Sequence, residues 1–100
     1  MALHCAATPV GFFASVQAAA ATENFLVMEN HAVDVSYWSD LVNGPEKPIV
    51  NQGFVPVPTG PGLGVTLNDE VVKKYVGDGG WFEPTDQWNN IGRPNDRLWS

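Results

Sequence analysis

The chain has 100 residues, of which 11 are acidic and 5 are basic, so its formal net charge is -6. A chain of this length builds one small domain at most, because it buries only about 60–65% of its unfolded surface. The basic residues are scattered and form no stripe that could neutralise phosphates, which excludes nucleic acid and membrane surfaces as partners. A single cysteine cannot form an internal disulfide, so we expect a reducing, cytoplasmic location.

Charged residues are scarce in the first third of the chain. They make up 16% of the whole sequence, against about 25% in typical soluble domains. Residues 1–36 contain Glu23, Glu29 and Asp34 but no lysine or arginine. A signal peptide would begin with basic residues, and a membrane-spanning helix would need a longer uninterrupted apolar run. We therefore expect residues 1–36 to be covered by further protein.

The sequence predicts a strand, a helix and a second strand in its first thirty residues. Residues 2–5 are a short apolar run, and Thr8 followed by Pro9 is typical of a helix start. A helix of about 14 residues would bury its apolar positions, and residues 22–24 would end it. Those apolar positions are Val10, Phe13, Val16 and Ala20. Residues 25–29 are nearly all apolar, which is typical of a parallel strand covered on both faces.

Proline and glycine dominate the chain after residue 42 and predict an extended, turn-rich path. Pro56 and Pro58 argue against a central strand there. A helix is predicted over residues 69–76, with Asn68 as its cap and Gly77 as its stop. Its favourable i,i+4 charge pairs are Asp69 with Lys73 and Glu70 with Lys74.

Two ionisable residues fall near the ends of the two predicted strands, His4 on the first and Glu29 on the second. Ligands bind at the carboxyl ends of strands in parallel α/β folds, so we assign both residues to a catalytic site. His31 follows two residues after Glu29, and we assign it to substrate binding at the same rim. The alternatives are that His4 is a core histidine, that Glu29 is a strand-end glutamate facing solvent, and that His31 is a solvated loop histidine.

Other kinds of site have weaker support. A metal site built from His4, Cys5, Glu29 and His31 is conceivable, but no compact pattern such as CxxC supports it, so no metal ligand is assigned. Cys5 is a poor nucleophile for a site containing His4, because neighbouring strand residues point to opposite faces. Residues 60–64 form a glycine-rich run without the Gly-Lys-Ser/Thr ending of a phosphate loop, so we expect a turn.

Residues 4–10, the alanine-rich helix and residues 22–29 resemble the seventh and eighth strand segments of acid-sugar dehydratases. Those enzymes belong to the mandelate racemase and muconate lactonizing group of the enolase superfamily. The spacing from His4 to Glu29 matches that pattern without a gap. Residues 55–71 are similar to the segment by which those proteins leave the barrel and close against their capping domain.

The resemblance implies an α/β fold, the C-terminal portion of a (β/α)₇β TIM-like barrel. Residues 1–42 would form its last strand-helix-strand unit. Residues 43–100 would form a Pro/Gly-rich segment with helix 69–76 and an aromatic tail over residues 78–100, packing on the capping domain. The chain would thus be one piece of a larger protein, inactive alone, and the complete protein would be a homo-oligomer.

The same resemblance implies the chemistry. A proton is abstracted next to the carboxylate of a small sugar acid, Mg²⁺ stabilises the enediolate, and a β-hydroxyl leaves. His4 would be the general acid/base, and Glu29 would hydrogen-bond the substrate carboxylate or enediolate. The acidic Mg²⁺ ligands are expected in the missing part of the barrel. The alternatives are a racemase, epimerase or cycloisomerase of the same superfamily, or a non-catalytic truncated product.

Overall fold

The computed structural model describes residues 1–32 and 34–75 of the chain. The elements in chain order are β1 (Ala2–Leu3), α1 (Pro9–Ala20), β2 (Val27–Met28), a 3₁₀ helix (Trp38–Leu41), β3 (Val42–Asn43), β4 (Thr66–Leu67) and α2 (Asp69–Tyr75). The predicted aromatic tail lies outside these residues. Within the described part, no helix has the length and apolar character that crossing a bilayer requires.

β1 and β2 pair in parallel, with Ala2 opposite Val27 and Leu3 opposite Met28. The predicted strand-helix-strand order is therefore present, but each strand is shorter than predicted. Hydrogen bonding nevertheless continues past the strands, from the Glu29 amide to the Leu3 carbonyl at 2.9 Å. In the described part of the chain the second strand is not covered on both faces as predicted, because Leu26 and Val27 are 78% and 53% exposed.

α1 begins at Pro9, and Thr8 occupies the N-cap position, although its side chain makes no capping hydrogen bond. The helix ends at Ala20, just before the predicted stop. Its buried face differs from the predicted one, because Ala20 is exposed and Val10 is half-buried. The residues that are buried are Pro9, Phe12, Phe13, Val16 and Ala19. The two large aromatic rings decide which face turns inward, because they remove the most apolar surface from water.

The core joins α1 to the chain that follows β2. It consists of Cys5, Phe12, Phe13, Val16, Trp38, Val42 and Ile49. The Trp38 indole Nε1 donates to the Ala7 carbonyl at 2.9 Å, and the Gln17 amide Nε2 donates to the Pro58 carbonyl at 2.9 Å. The proline-rich segment thus lies back on α1. Its docking against a capping domain stays a prediction.

α2 starts as predicted, with the Asn68 side-chain oxygen accepting from the Val71 amide at 3.4 Å. The predicted i,i+4 charge pairs are wrong. Lys73 instead lies 3.9 Å from Glu70. The Lys74 ammonium is 5.3 Å from the centre of the Tyr75 ring, within range of a cation–π contact. These contacts are exposed, so they contribute little to stability.

Candidate active site

The pairing of β1 with β2 places His4 beside Glu29. They are the next residues after the pair Leu3 and Met28 in the same register. Side chains alternate between the faces of a strand, so residues paired in parallel share a face. The His4 Nδ1 atom lies 3.2 Å from the Glu29 Oε2 atom. Cys5 is buried in the core on the opposite side, as its position next to His4 predicted.

His31 reaches the same carboxylate oxygen from the other side. It follows Glu29 by two residues and is held in line by its backbone amide, which donates to the Cys5 carbonyl at 3.4 Å. The His31 Nε2 atom lies 3.2 Å from Glu29 Oε2. The rings of His4 and His31 are 5.5 Å apart at their centres, with 41° between their planes. One carboxylate oxygen therefore lies between two imidazoles.

The site is open to water. The side chains of His4, Glu29 and His31 are 73%, 53% and 59% exposed. Beside them is a shallow depression lined by Glu29, Asn30, His31 and Asp34. A small polar ligand can enter it without displacing a core side chain.

Two residues of this depression are absent from the sequence-based assignment. Asn30 shapes the loop, because its Oδ1 atom accepts from the Ala32 amide at 3.1 Å. Asp34 adds a second exposed carboxylate at the edge of the depression. An asparagine directly after a strand is a known turn former, so its loop role was readable from the sequence. The placement of Asp34 depends on the path of that loop and has no such local signal.

The contact between His31 Nε2 and Glu29 Oε2 has hydrogen-bond geometry, in which either the imidazole or a protonated Glu29 can donate. The closest contacts of both histidines are to Oε2. His4, Glu29 and His31 also offer metal-ligand atoms, one from each residue, that lie within 4.8 Å of one another. Cys5 is not in this group, which corrects the four-residue set that the sequence suggested.

The model of the family described as Enolase C-terminal domain-like matches residues 1–71. The chain belongs to this family. The predicted membership of the enolase superfamily is therefore confirmed, and with it an α/β fold of the TIM-barrel type.

Three relatives show how much of a longer protein the chain spans. It is 37% identical over 79 residues to the D-xylonate dehydratase of Haloferax volcanii, covering 79% of this chain and 19% of the relative. It is 37% identical over 76 residues to the D-gluconate dehydratase of Thermoproteus tenax, covering 72% of this chain and 14% of the relative. The crystal structure of a mandelate racemase/muconate lactonizing enzyme-like protein from Rubrobacter xylanophilus superimposes with a TM-score of 0.69 at 37% identity, covering 73% of this chain and 18% of that one. The chain thus spans less than a fifth of the length of each.

Proposed function

We propose that this chain is the C-terminal part of a sugar-acid dehydratase, a hydro-lyase. The observation that carries the proposal is the 3.2 Å contact between His4 and Glu29 where two paired parallel strands end. Ligands bind at that edge of parallel sheets and barrels. The names of the two dehydratase relatives support a sugar acid as the substrate.

Dehydration requires that a proton leave the carbon next to the carboxylate and that the β-hydroxyl leave as water. The electron pair of the broken C–H bond first forms the enediolate and then the new carbon–carbon double bond, as the C–O bond breaks. The resulting enol gives a keto acid by moving one proton from oxygen to carbon. We assign His4 as the general acid/base, because imidazole takes up and releases protons near neutral pH.

Glu29 is assigned to the substrate carboxylate or enediolate. In its protonated form it donates a hydrogen bond to the oxygen on which negative charge develops, which lowers the barrier. Its Oε2 atom lies 3.2 Å from ring nitrogens of both His4 and His31. His31 is assigned to substrate binding, since it orients Glu29 and also lines the depression.

The resemblance also implies Mg²⁺, which would stabilise the enediolate when bound. The residues brought together here do not fit this ion. Mg²⁺ prefers an octahedron of oxygen ligands, whereas the cluster offers two imidazole nitrogens and one carboxylate. In this proposal the Mg²⁺ ligands are acidic residues of the barrel outside this chain.

The proposal extends to the rest of the architecture. Residues 1–42 would be the seventh strand, the following helix and the eighth strand of a (β/α)₇β barrel, and residues 43–100 would pack on its capping domain. The complete protein would be a cytoplasmic homo-oligomer. The 100-residue chain alone would be inactive, because it lacks the remaining strands and the metal ligands.

The test is the His4→Asn substitution in the complete protein, with the keto acid product measured as its semicarbazone. Loss of a general acid/base should lower kcat by about 10²–10⁴-fold. The Asp40→Asn variant is the control, because Asp40 pairs with Lys47 on the surface and takes no part in the proposed site. Normal turnover by His4→Asn would remove His4 from the mechanism.

A racemase or epimerase on the same scaffold is the second candidate, favoured by the likeness to the mandelate racemase/muconate lactonizing enzyme-like structure. The two reactions separate cleanly in D₂O. An epimerase exchanges the proton next to the carboxylate and produces no keto acid. A dehydratase produces keto acid in step with loss of the substrate.

A further inference from the structure

We propose that His4, Glu29 and His31 together form a binding site for a divalent transition-metal ion such as Zn²⁺, and that occupancy of this site blocks turnover. These three residues provide two nitrogen ligands and one oxygen ligand, all within 4.8 Å of one another. Two imidazoles with one carboxylate on one face are an established ligand set for zinc and for non-haem iron.

The distances suit such an ion. Ligand atoms about 2.0–2.1 Å from a tetrahedral Zn²⁺ lie about 3.4 Å from one another. Each histidine nitrogen is 3.2 Å from Glu29 Oε2, so both nitrogen-to-oxygen edges are already near that length. The two nitrogens lie within 4.8 Å of each other, so small rotations of the two exposed rings bring this last edge to the same length.

The backbone holds the three residues in place. His4 and Glu29 are register neighbours, and the amide of His31 is tied to the Cys5 carbonyl. A metal ion would therefore order side chains whose backbone is already fixed, which reduces the entropic cost of binding. The neighbouring depression leaves space for water on the remaining coordination positions.

The ligand chemistry selects the class of ion. Imidazole binds Zn²⁺, Cu²⁺, Ni²⁺ and Co²⁺ in preference to Mg²⁺ and Ca²⁺, which take oxygen ligands. The two neutral imidazoles and one carboxylate leave a net charge of about +1 on a bound divalent ion. Asp34, exposed at the edge of the same depression, reduces that charge further without being one of the three ligands.

The consequence for turnover rests on the proposed function. A nitrogen that binds a metal ion cannot carry a proton, and a carboxylate bound to a metal is not protonated. An ion in this site would therefore withdraw His4 and Glu29 from the roles assigned to them. Zn²⁺ should inhibit the complete protein at concentrations that fill the site, even with Mg²⁺ in excess.

Binding is tested first, on the 100-residue chain itself, by calorimetric titration with Zn²⁺ at neutral pH and by the visible spectrum of the Co²⁺ form. We expect one ion per chain. The substitutions His4→Ala, Glu29→Gln and His31→Gln should each weaken binding by about 10-fold or more. Asp40→Asn and Cys5→Ala are the controls and should bind with less than about a 3-fold change, because neither residue is a ligand or lines the depression.

Circular dichroism of each variant shows whether a loss of binding follows a loss of fold. His31→Gln is the decisive variant, because it changes an exposed loop side chain. The metal-site proposal is overturned if the chain binds no Zn²⁺, if Cys5→Ala abolishes binding, or if His31→Gln binds as tightly as the unmodified chain.

Inhibition is tested second, on the complete protein. If Zn²⁺ binds to the chain but leaves turnover unchanged, the blocking role is overturned while the metal site stands. If the His4→Asn protein turns over normally while Zn²⁺ still binds to the unmodified chain, the proposed function fails independently of the metal site.

Discussion

Gly64 lies in the turn that brings the proline-rich segment back towards α1. Its φ angle is +73°, and a Cβ atom added there would lie 2.2 Å from the Cβ atom of Pro58. Gly62, two residues earlier, has a φ angle of +64° but open space around it. The two glycines therefore separate the cost of a left-handed backbone from the cost of a steric clash.

We predict that Gly64→Ala destabilises the chain by about 2–4 kcal/mol, the sum of the left-handed penalty and the displacement of Pro58. Gly62→Ala should cost about 1 kcal/mol, because it carries the backbone penalty alone. Urea unfolding followed by circular dichroism measures both. Equal midpoints for the two variants would show that Pro58 moves freely and that the clash carries no energy.

At the candidate site, the sequence predicted that His4 and Glu29 share one edge, but it predicted neither their contacts nor the places of Asn30 and Asp34. A histidine and a glutamate near the ends of two apolar runs predicted one shared edge, and the structure brings them together. The position of His31 on the same oxygen depends on the pairing of its backbone amide with Cys5, which extends beyond the strands. Their roles in catalysis remain predictions.

Besides the short strands β3 and β4, the 3₁₀ helix is an element that the sequence did not predict. Four residues without a periodic pattern give no local signal, because their conformation is decided by what Trp38 packs against. The Trp38 ring meets the Phe12 ring edge-on at 5.2 Å, and its indole nitrogen donates to the Ala7 carbonyl. α1 itself was predictable from Thr8 and Pro9, but the choice of its buried face was decided by this tertiary contact.

We predict that Trp38→Phe destabilises the chain by about 2 kcal/mol. Phenylalanine keeps an aromatic ring against Phe12 but removes the donor to the Ala7 carbonyl and leaves unfilled volume in the core. Tyr37→Phe is the matched control, because it keeps the ring that stacks on Tyr75 at 3.8 Å. It should change stability by less than about 0.5 kcal/mol.

Both variants are compared by urea unfolding under identical conditions. If Trp38→Phe is no less stable than Tyr37→Phe, the indole hydrogen bond does not hold the 3₁₀ helix on α1. The ring contact with Phe12 would then be enough to hold it there.

At the scale of the whole molecule, one face remains apolar and exposed. Leu26 is 78% exposed and Phe54 is 79% exposed, and both line a groove of about 340 Å³ beside α1. The other exposed apolar residues of this groove are Phe25, Val27 and Val57. Isolated soluble domains rarely leave so continuous an apolar face in water. In the sequence, the scarcity of charged residues in 1–36 likewise indicated a surface that further protein covers.

We predict that the 100-residue chain binds the dye ANS strongly. The double substitution Leu26→Ser with Phe54→Ser should lower the ANS fluorescence by roughly half, because it removes the two most exposed side chains of the groove. Leu67→Ser is the control, because Leu67 is 53% exposed but lies in β4, away from the groove. Circular dichroism checks that all three proteins keep the same fold. An equal loss of fluorescence in Leu67→Ser would mean that the dye reports general exposure. Unchanged fluorescence in the double variant would mean that the groove is closed in solution.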